Sequence, residues 1–220
     1  MRIAALHWEA DMLVQDIMTS PVQFIAPNVT LQDAYQMMQE KGIRHLPVLD
    51  NGRLVGVITD RDLRLATSAL SPAPFSPGAN VSAVMSRTPL TAAPSDPVED
   101  AARTMRERKI GCLPVDDNGR LVGIITGLDL LDALMRMTGA DKPSGRLEVR
   151  LADRPGELAR LAGFMSGLDL NIHSILTYPE DSEKTRAVLR IGSIEVRLLA
   201  EDLRRAGFDV LWPPARPCLP

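Results

Sequence analysis

The chain has little of what marks a protein for covalent, metal or membrane chemistry. Two cysteines occur in 220 residues, Cys112 in an apolar stretch and Cys218 in a proline-rich tail, so no disulfide framework is expected. Three histidines, His7, His45 and His173, stand far apart and offer no zinc-ligand spacing, so no metal site is assigned. Gly-x-Ser-x-Gly and His-Glu-x-x-His are both absent, and no catalytic residue or catalytic cofactor is assigned. Positive charge is not in excess: 25 basic residues face 28 acidic ones, and no basic stretch suggests a nucleic-acid partner. No apolar run approaches the roughly 20 residues of a membrane helix. The segment Met1–Asp11 has too short an apolar core for a signal peptide and acquires acids early. A soluble cytoplasmic protein is expected, and its composition, 45% hydrophobic and 24% charged, allows a sizeable core. The ten methionines read as core or interface filler.

What the chain does have is a stretch written twice. Val14–Leu63 lies over Val81–Leu130 at an offset of 67 residues without a gap, and 23 of the 50 aligned positions are identical. Leu46-Pro47-Val48 matches Leu113-Pro114-Val115, and Asp50 to Gly56 matches Asp117 to Gly123 residue for residue. Both copies end on Ile-Thr-x-x-Asp-Leu, at Ile58–Leu63 and Ile125–Leu130. A fixed-period duplication means two copies of one supersecondary unit. Two units favour a closed pseudo-symmetric pair over a solenoid, with like residues on both sides of a shared cleft.

Each copy reads strand, helix, strand, strand, helix. In the first, Thr30 with Asp33 opens a helix whose apolar stripe is Leu31, Ala34, Tyr35 and Met38, and Gly42 stops it. Two β-rich runs then flank Asp50-Asn51-Gly52, a strong hairpin signal, and a short helix follows over about Asp60–Ala66. In the second, Val98, Ala101, Ala102 and Met105 form the stripe, with Ser95 or Asp96 as cap and Pro97 in the first turn. Ser71–Gly78, with three prolines, reads as an exposed connector.

The period changes after a break at Thr138–Gly145. Leu147–Leu151 alternates like a strand, and Asp153-Arg154-Pro155-Gly156 turns into a helix with Leu158, Leu161, Ala162 and Met165 on one face. A hairpin, Ile172–Tyr178 with Arg186–Ile191, precedes a helix carrying Val196, Leu199, Ala200 and Leu203, stopped by Gly207. Val210–Trp212 completes a β-α-β-β-α-β order. The boundaries follow: an N-terminal arm at 1–12, the first copy at 13–70, a linker at 71–79 and the second copy at 80–137. A linker at 138–145, a third domain at 146–213 and a proline-rich tail at 214–220 complete the chain.

The chemistry concentrates in the repeated Thr-x-x-Asp, Thr59 with Asp62 and Thr126 with Asp129. A threonine at a strand end and an aspartate three residues on place a hydroxyl and a carboxylate beside free helix N–H groups. Such a place suits a phosphate or a ribose diol, and the same pattern is also a plain helix cap. Two copies in matched context favour the ligand.

These motifs, in order and at the right spacing twice, resemble a tandem pair of CBS domains, the Bateman module, over residues 13–135. Its marks are Asp16-Ile17-Met18, Ile43 to Val48 and the Gly-Val-Ile-Thr-x-x-Asp ending. The resemblance implies an adenosine-containing ligand in the cleft between the copies, such as AMP, ADP, ATP, S-adenosylmethionine or a cyclic dinucleotide. Asp62 and Asp129 would hold ribose hydroxyls, and Thr59 and Thr126 would contact phosphate or ribose. Backbone near Pro21-Val22 and from Ile43 to Pro47 would frame the adenine, with Pro89-Leu90 and Ile110 to Pro114 doing so in the second copy. The copies differ in charge. Arg44-His45 becomes Gly111-Cys112, and Asp60-Arg61 becomes Gly127-Leu128. The side of Arg44, His45 and Arg61 is the better equipped for phosphate, with Arg108 and Lys109 compensating in part, and the second site would accept a less charged ligand or nothing.

The C-terminal third resembles an ACT domain over about residues 146–213, on Asp153-Arg154-Pro155-Gly156-Glu157-Leu158 and Leu170-Asn171-Ile172. That resemblance implies an amino acid held at a dimer interface by the turn Asp153–Leu158 and the Asn171-Ile172 strand of a partner, with Asp153 or Asn171 meeting its ammonium. The alternative is a turn and a domain that only dimerises. Two CBS copies followed by an ACT domain also resemble the acetoin-utilisation regulatory proteins. The expected fold class is α+β, a tandem CBS pair of β-α-β-β-α units followed by a ferredoxin-like βαββαβ ACT domain. The expected function is that of a non-catalytic sensor with an adenine nucleotide as regulatory ligand, forming a homodimer that signals to an unidentified regulated protein. The alternatives are a dimerisation scaffold with vestigial sites and a hydrolase acting on a nucleotide in the cleft.

Overall fold

The computed structural model describes residues 12–168 and 170–215; the proposed arm, but for Met12, and most of the tail, with Cys218, lie outside the described residues. The chain divides after Ala133 into two compact units. In the first, each copy supplies a hairpin with a helix before it and a helix after it. Helix α2 (Leu31–Lys41) is capped by Thr30, whose hydroxyl accepts the Asp33 N–H, and ends at Gly42 in the left-handed region. Strands β1 (His45–Asp50) and β2 (Arg53–Thr59) pair antiparallel, joined through Asn51 and Gly52, both at positive φ, as an Asn-Gly hairpin demands. Helix α3 (Asp60–Ala66) follows directly.

The second copy repeats this with α4 (Val98–Arg108), β4 (Cys112–Asp117), β5 (Arg120–Thr126) and α5 (Gly127–Met137). The strand expected at the start of each copy shrinks to single parallel bridges, Ile25 with Val48 and Ala92 with Val115. Ahead of these lie a short helix α1 (Val14–Ile17) in the first copy, and in the second a 3-10 turn (Val81–Ala83) and the two-residue β3 (Ser86–Arg87).

Those leading segments are exchanged between the copies. β3 of the second copy pairs with β2 of the first, and Thr19 of the first bridges Ile124 of the second. Val81 and Met85 belong to the core built around Leu31, Met38, Leu46 and Ile58. Val14 belongs to the core built around Met105, Leu113 and Ile125. The exchange explains a missed cap. The Val98 N–H is taken by Met12 O and the Asp96 carboxylate by the Ala93 N–H, so α4 starts behind Pro97 with no side-chain cap. Tyr35, placed on the apolar stripe of α2, is exposed, because the buried face is the narrower Leu31, Ala34, Met38 line.

The exchange also assigns the glycine in the repeated Gly-x-Ile-Thr. A Cβ on Gly56 would stand 2.6 Å from Met85 Sδ, and one on Gly123 would overlap Met18 Sδ in the same way. Each copy's methionine therefore lies on the other copy's hairpin. A small interface core of Val57, Cys112 and Ile124, with Val22 against it, fills the space between the hairpins. Burying side chains such as Leu46 and Ile58 completely contributes about 1.5–3 kcal/mol each.

The second unit is a four-stranded antiparallel sheet in the order β7 (Ile172–Pro179), β8 (Lys184–Ile191), β6 (Gly145–Ala152), β9 (Asp209–Trp212). Helices α6 (Glu157–Ser166) and α7 (Arg197–Arg205) complete the βαββαβ order and share one core with Leu147, Val149, Leu189 and Ile191. Leu158, expected on the buried face of α6, is exposed; the helix begins at Glu157, which puts Glu157, Leu161 and Met165 inward. The other face of the sheet carries an ion network: Arg150 bonds Glu180 and Asp209, each at 2.7 Å, and Arg186 bonds Glu180 at 2.9 Å. Those two guanidiniums hold the Glu180 carboxyl down at about 2.

Gly123→Ala is expected to destabilise the fold by about 1–3 kcal/mol through overpacking against Met18. Met18→Ala in the same chain should recover part of that loss, a coupling that denaturant unfolding of the single and double variants measures; strict additivity would show that the contact is not the cause.

Candidate functional site

Both Thr-x-x-Asp pairs form caps. The Thr59 hydroxyl donates to Asp62 Oδ2 at 2.7 Å, the Thr59 N–H donates to the same oxygen at 3.0 Å, and the Asp62 N–H donates back to Thr59 Oγ1 at 3.1 Å. In the second copy Thr126 donates from N and Oγ1 to Asp129 Oδ2, at 2.6 and 2.7 Å. Each cap engages one carboxylate oxygen. Oδ1 of each aspartate keeps two lone-pair sites, the number a vicinal diol needs.

Two cavities flank the interface between the copies, and each mixes the copies in a way the repeat by itself does not suggest. The first, about 820 Å³, joins Thr59 and Asp62 of the first copy to Pro89, Leu90 and Ile110 of the second. The second, about 570 Å³, joins Thr126 and Asp129 to Pro21, Val22 and Ile43. The exchanged leading segments carry Val22 to Asp129 and Leu90 to Asp62. Pro47 and Pro114 line neither cavity, being buried in their hairpins opposite Val57 and Ile124.

Arg44 and His45 line both cavities. His45 fits because its counterpart side is bare: a Cβ on Gly111 would stand 2.7 Å from His45 Nε2. The Arg44-His45 and Gly111-Cys112 difference is therefore steric as well as electrostatic. Burial, and then the charge of Arg44, lower the His45 pKa, against a weaker pull from Asp60 and Asp62. Burial, with a further push from the Asp62 carboxylate, raises the Cys112 thiol to about 12, so it stays protonated and unreactive at neutral pH. The first cavity also holds Arg61, Arg87 and Lys109. Arg87 is not announced by its place in the chain, because the β2–β3 pairing, which sets it opposite Gly56, brings it to the cavity that Thr59 lines; its one sequence signal is that a cation stands where the first copy has Ser20. Arg108 is not in the cavity lining, and among the described residues no group of three or more His, Cys, Asp or Glu has metal-holding geometry. No helix among them is long and apolar enough to cross a membrane.

In the second unit the turn Asp153–Gly156 leads into α6 with Gly156 at φ 94°. Glu157 is buried and fully engaged, accepting from Arg154 at one oxygen and Arg160 at the other. Those bonds, Arg154 first, lower its pKa. Asn171 and Ile172 do not meet this turn. Ala152, before the turn, pairs with Lys184, whereas Ile172 pairs with Ile191 at the other end of β8. Within one chain the two groups lie at opposite ends of the sheet, roughly 25 Å apart at ~3.4 Å per residue.

The lowered His45 pKa has a pH consequence. Above its ordinary 6.5 the imidazole is neutral both folded and unfolded; below it the unfolded chain takes up the proton first. Stability is then complete above 6.5 and is lost as pH falls through the folded-state value. Chemical denaturation across pH should show the wild type losing stability on acidification relative to His45→Gln, and parallel curves would show that the ring is not buried as described.

The comparisons with known proteins agree with this architecture. The CBS domain model matches residues 14–68 and 81–136, and the TTHA0829-like ACT domain model matches 143–212. A CBS domain-containing protein of Dictyostelium discoideum is 41% identical over 138 residues, covering 57% of this chain and 92% of that protein. The CBS domain pair of protein MJ0100, solved in complex with 5′-methylthioadenosine and S-adenosyl-L-methionine, is 30% identical, covers 60% of this chain and 99% of its own, and superposes with a TM-score of 0.52. A protein of Vibrio cholerae described as acetoin utilization protein AcuB is 32% identical, with 60% and 96% covered and a TM-score of 0.51. The chain belongs to the CBS-domain family, its tandem pair followed by a TTHA0829-like ACT domain.

Proposed function

We propose that the protein is a non-catalytic cytoplasmic regulator that binds an adenosyl ligand between its two CBS copies and passes the occupancy on, as a homodimer, to a regulated protein. One observation carries this. Each cavity is entered by an aspartate whose Oδ2 is fixed by a cap and whose Oδ1 is uncommitted among the described residues, so a ribose diol finds a carboxylate already oriented. The adenosyl class is supported by the similar pair of MJ0100, which was solved with two adenosyl compounds. The thiol held at about 12 and the absence of a nucleophile–base pair among the motifs argue against turnover. An unpaired buried cysteine also suits a reducing compartment.

An amino-acid site in the ACT unit is a second reading that requires two chains. The turn from Asp153 to Leu158, with Arg154 and Glu157 tied to each other, and the Asn171-Ile172 strand can meet one ligand only if they come from different copies. The outer edge of β7 is unpaired among the described residues and exposes Ile175, Leu176 and Tyr178, the kind of strand that seeks a partner.

Thermal melts against adenosine, AMP, ADP, ATP and S-adenosylmethionine test the proposal. A ligand of the folded state at 100 times its Kd should add about 2.7 kcal/mol. Asp62→Asn keeps an oxygen for the Thr59 cap but turns an amide toward the ribose, and it should weaken binding about tenfold or more with an unchanged unliganded melt. No shift with any compound would leave a dimerisation scaffold, and ATP turnover by the pure protein would replace the regulator with a hydrolase.

A further inference from the structure

The two cavities are related position by position through the 67-residue offset, so their differences can be read pairwise. Arg61 in the first cavity stands where the second has Leu128, Lys109 where it has Gly42, and Arg87 at the position of Ser20. Ser20 turns its hydroxyl away, to the Val122 carbonyl. Three cations of the first cavity therefore have uncharged counterparts, and among the described residues the second keeps only Arg44 on the wall that both share.

Two further observations show that these cations are held ready for a ligand. Among the described residues no carboxylate lies within ion-pair distance of Arg44, Arg61, Arg87 or Lys109; the nearby Asp60 is taken by Arg64 at 2.8 Å, and Arg87 gives one N–H to the Ser82 carbonyl at 3.1 Å and keeps its charge uncompensated. Lys109, moreover, closes α4 at φ 54°, in the left-handed region, where the equivalent Gly42 closes α2 at φ 65°. Glycine takes that conformation freely and lysine does so at a cost, so the cation is kept at a position where the backbone favours its absence. The second cavity is smaller, and Leu128 and Leu131 on its wall are more than half exposed.

We infer that the pair is sorted by charge: the first cavity is a nucleoside di- or triphosphate site, and the second takes an adenosyl compound that carries no phosphate. Asp62 would hold the ribose, and Arg61, Arg87 and Lys109 the phosphate chain, with fork geometry available from Arg61 and the remaining N–H groups of Arg87. At the second site the ribose meets Asp129, and the 5′ substituent faces leucine. The inference rests on the adenosyl reading above and adds to it which ligand goes where.

Calorimetric titration of the full chain with adenosine, AMP, ADP and ATP, at low and high salt, tests it. In the wild type, ATP should bind at least about tenfold tighter than adenosine, the worth of one charge-assisted hydrogen bond, and that advantage should shrink with salt. The triple variant Arg61→Leu, Arg87→Ser, Lys109→Gly gives the first cavity the residues of the second and should flatten the series from adenosine to ATP. Leu128→Arg, on an exposed position that keeps the fold, should add a second tight ATP equivalent. Equal affinities for adenosine and ATP in the wild type, or a series left intact in the triple variant, would overturn the sorting. Failure of every adenosyl compound to bind would instead remove the reading on which it rests.

Discussion

Met18 lies on Gly123 and Met85 lies on Gly56, and this reciprocal contact places everything else in the first unit. It holds each leading segment against the other copy's hairpin, together with backbone bonds such as the mutual pair between Thr19 and Ile124. The hairpins then meet through Val57, Cys112 and Ile124, and the cavities are the space left on either side. Each copy's core is completed by the other's leading segment, Val81 and Met85 in one direction and Val14 in the other. The cost of closing the connector between the copies grows only slowly with its length, so an exposed proline-rich linker is compatible with the exchange.

The same geometry gives the site its chemistry. A capping box at a strand–helix junction is ordinary, and here it also serves as an orienting device, because it immobilises an aspartate at a cavity mouth with one oxygen unused. Duplication doubles the device, and divergence at a few equivalent positions separates the two copies in charge without changing the scaffold. Arg44 and His45, present once, line both cavities, and His45 fits because Gly111 leaves it room. The second unit has no such doubling. Two of its carboxylates are each tied to a pair of arginines, Glu157 to Arg154 and Arg160 and Glu180 to Arg150 and Arg186, while the β7 edge exposes apolar side chains.

The local elements were legible wherever local chemistry decides them. Thr30 and Gly42 bound a helix because a hydroxyl cap and a left-handed stop are nearest-neighbour effects. Asn51-Gly52 makes its hairpin for the same reason, and Asp60–Ala66 is helical over the residues expected. Expectations failed where a distant segment intervened. Ser95 or Asp96 reads as a cap for α4, yet the Val98 N–H goes to Met12 and the Asp96 side chain to Ala93. Tyr35 and Leu158 read as core, yet their helices present narrower faces than an apolar stripe suggests.

The duplication, the helix–hairpin–helix order of each copy, the βαββαβ order of the second unit, the family resemblance and the pairs of Thr and Asp that enter the cavities were all legible along the chain. All of these depend on identity or spacing along the chain, and a 67-residue offset preserves both. Tertiary structure alone decided which aspartate faces which frame: Val22 goes to Asp129 and Leu90 to Asp62, and Arg87 joins a cavity that its position in the chain does not announce. The offset says that two segments are alike but not which hairpin each will cover, and that choice is made by the fit of a methionine against a glycine of the other copy.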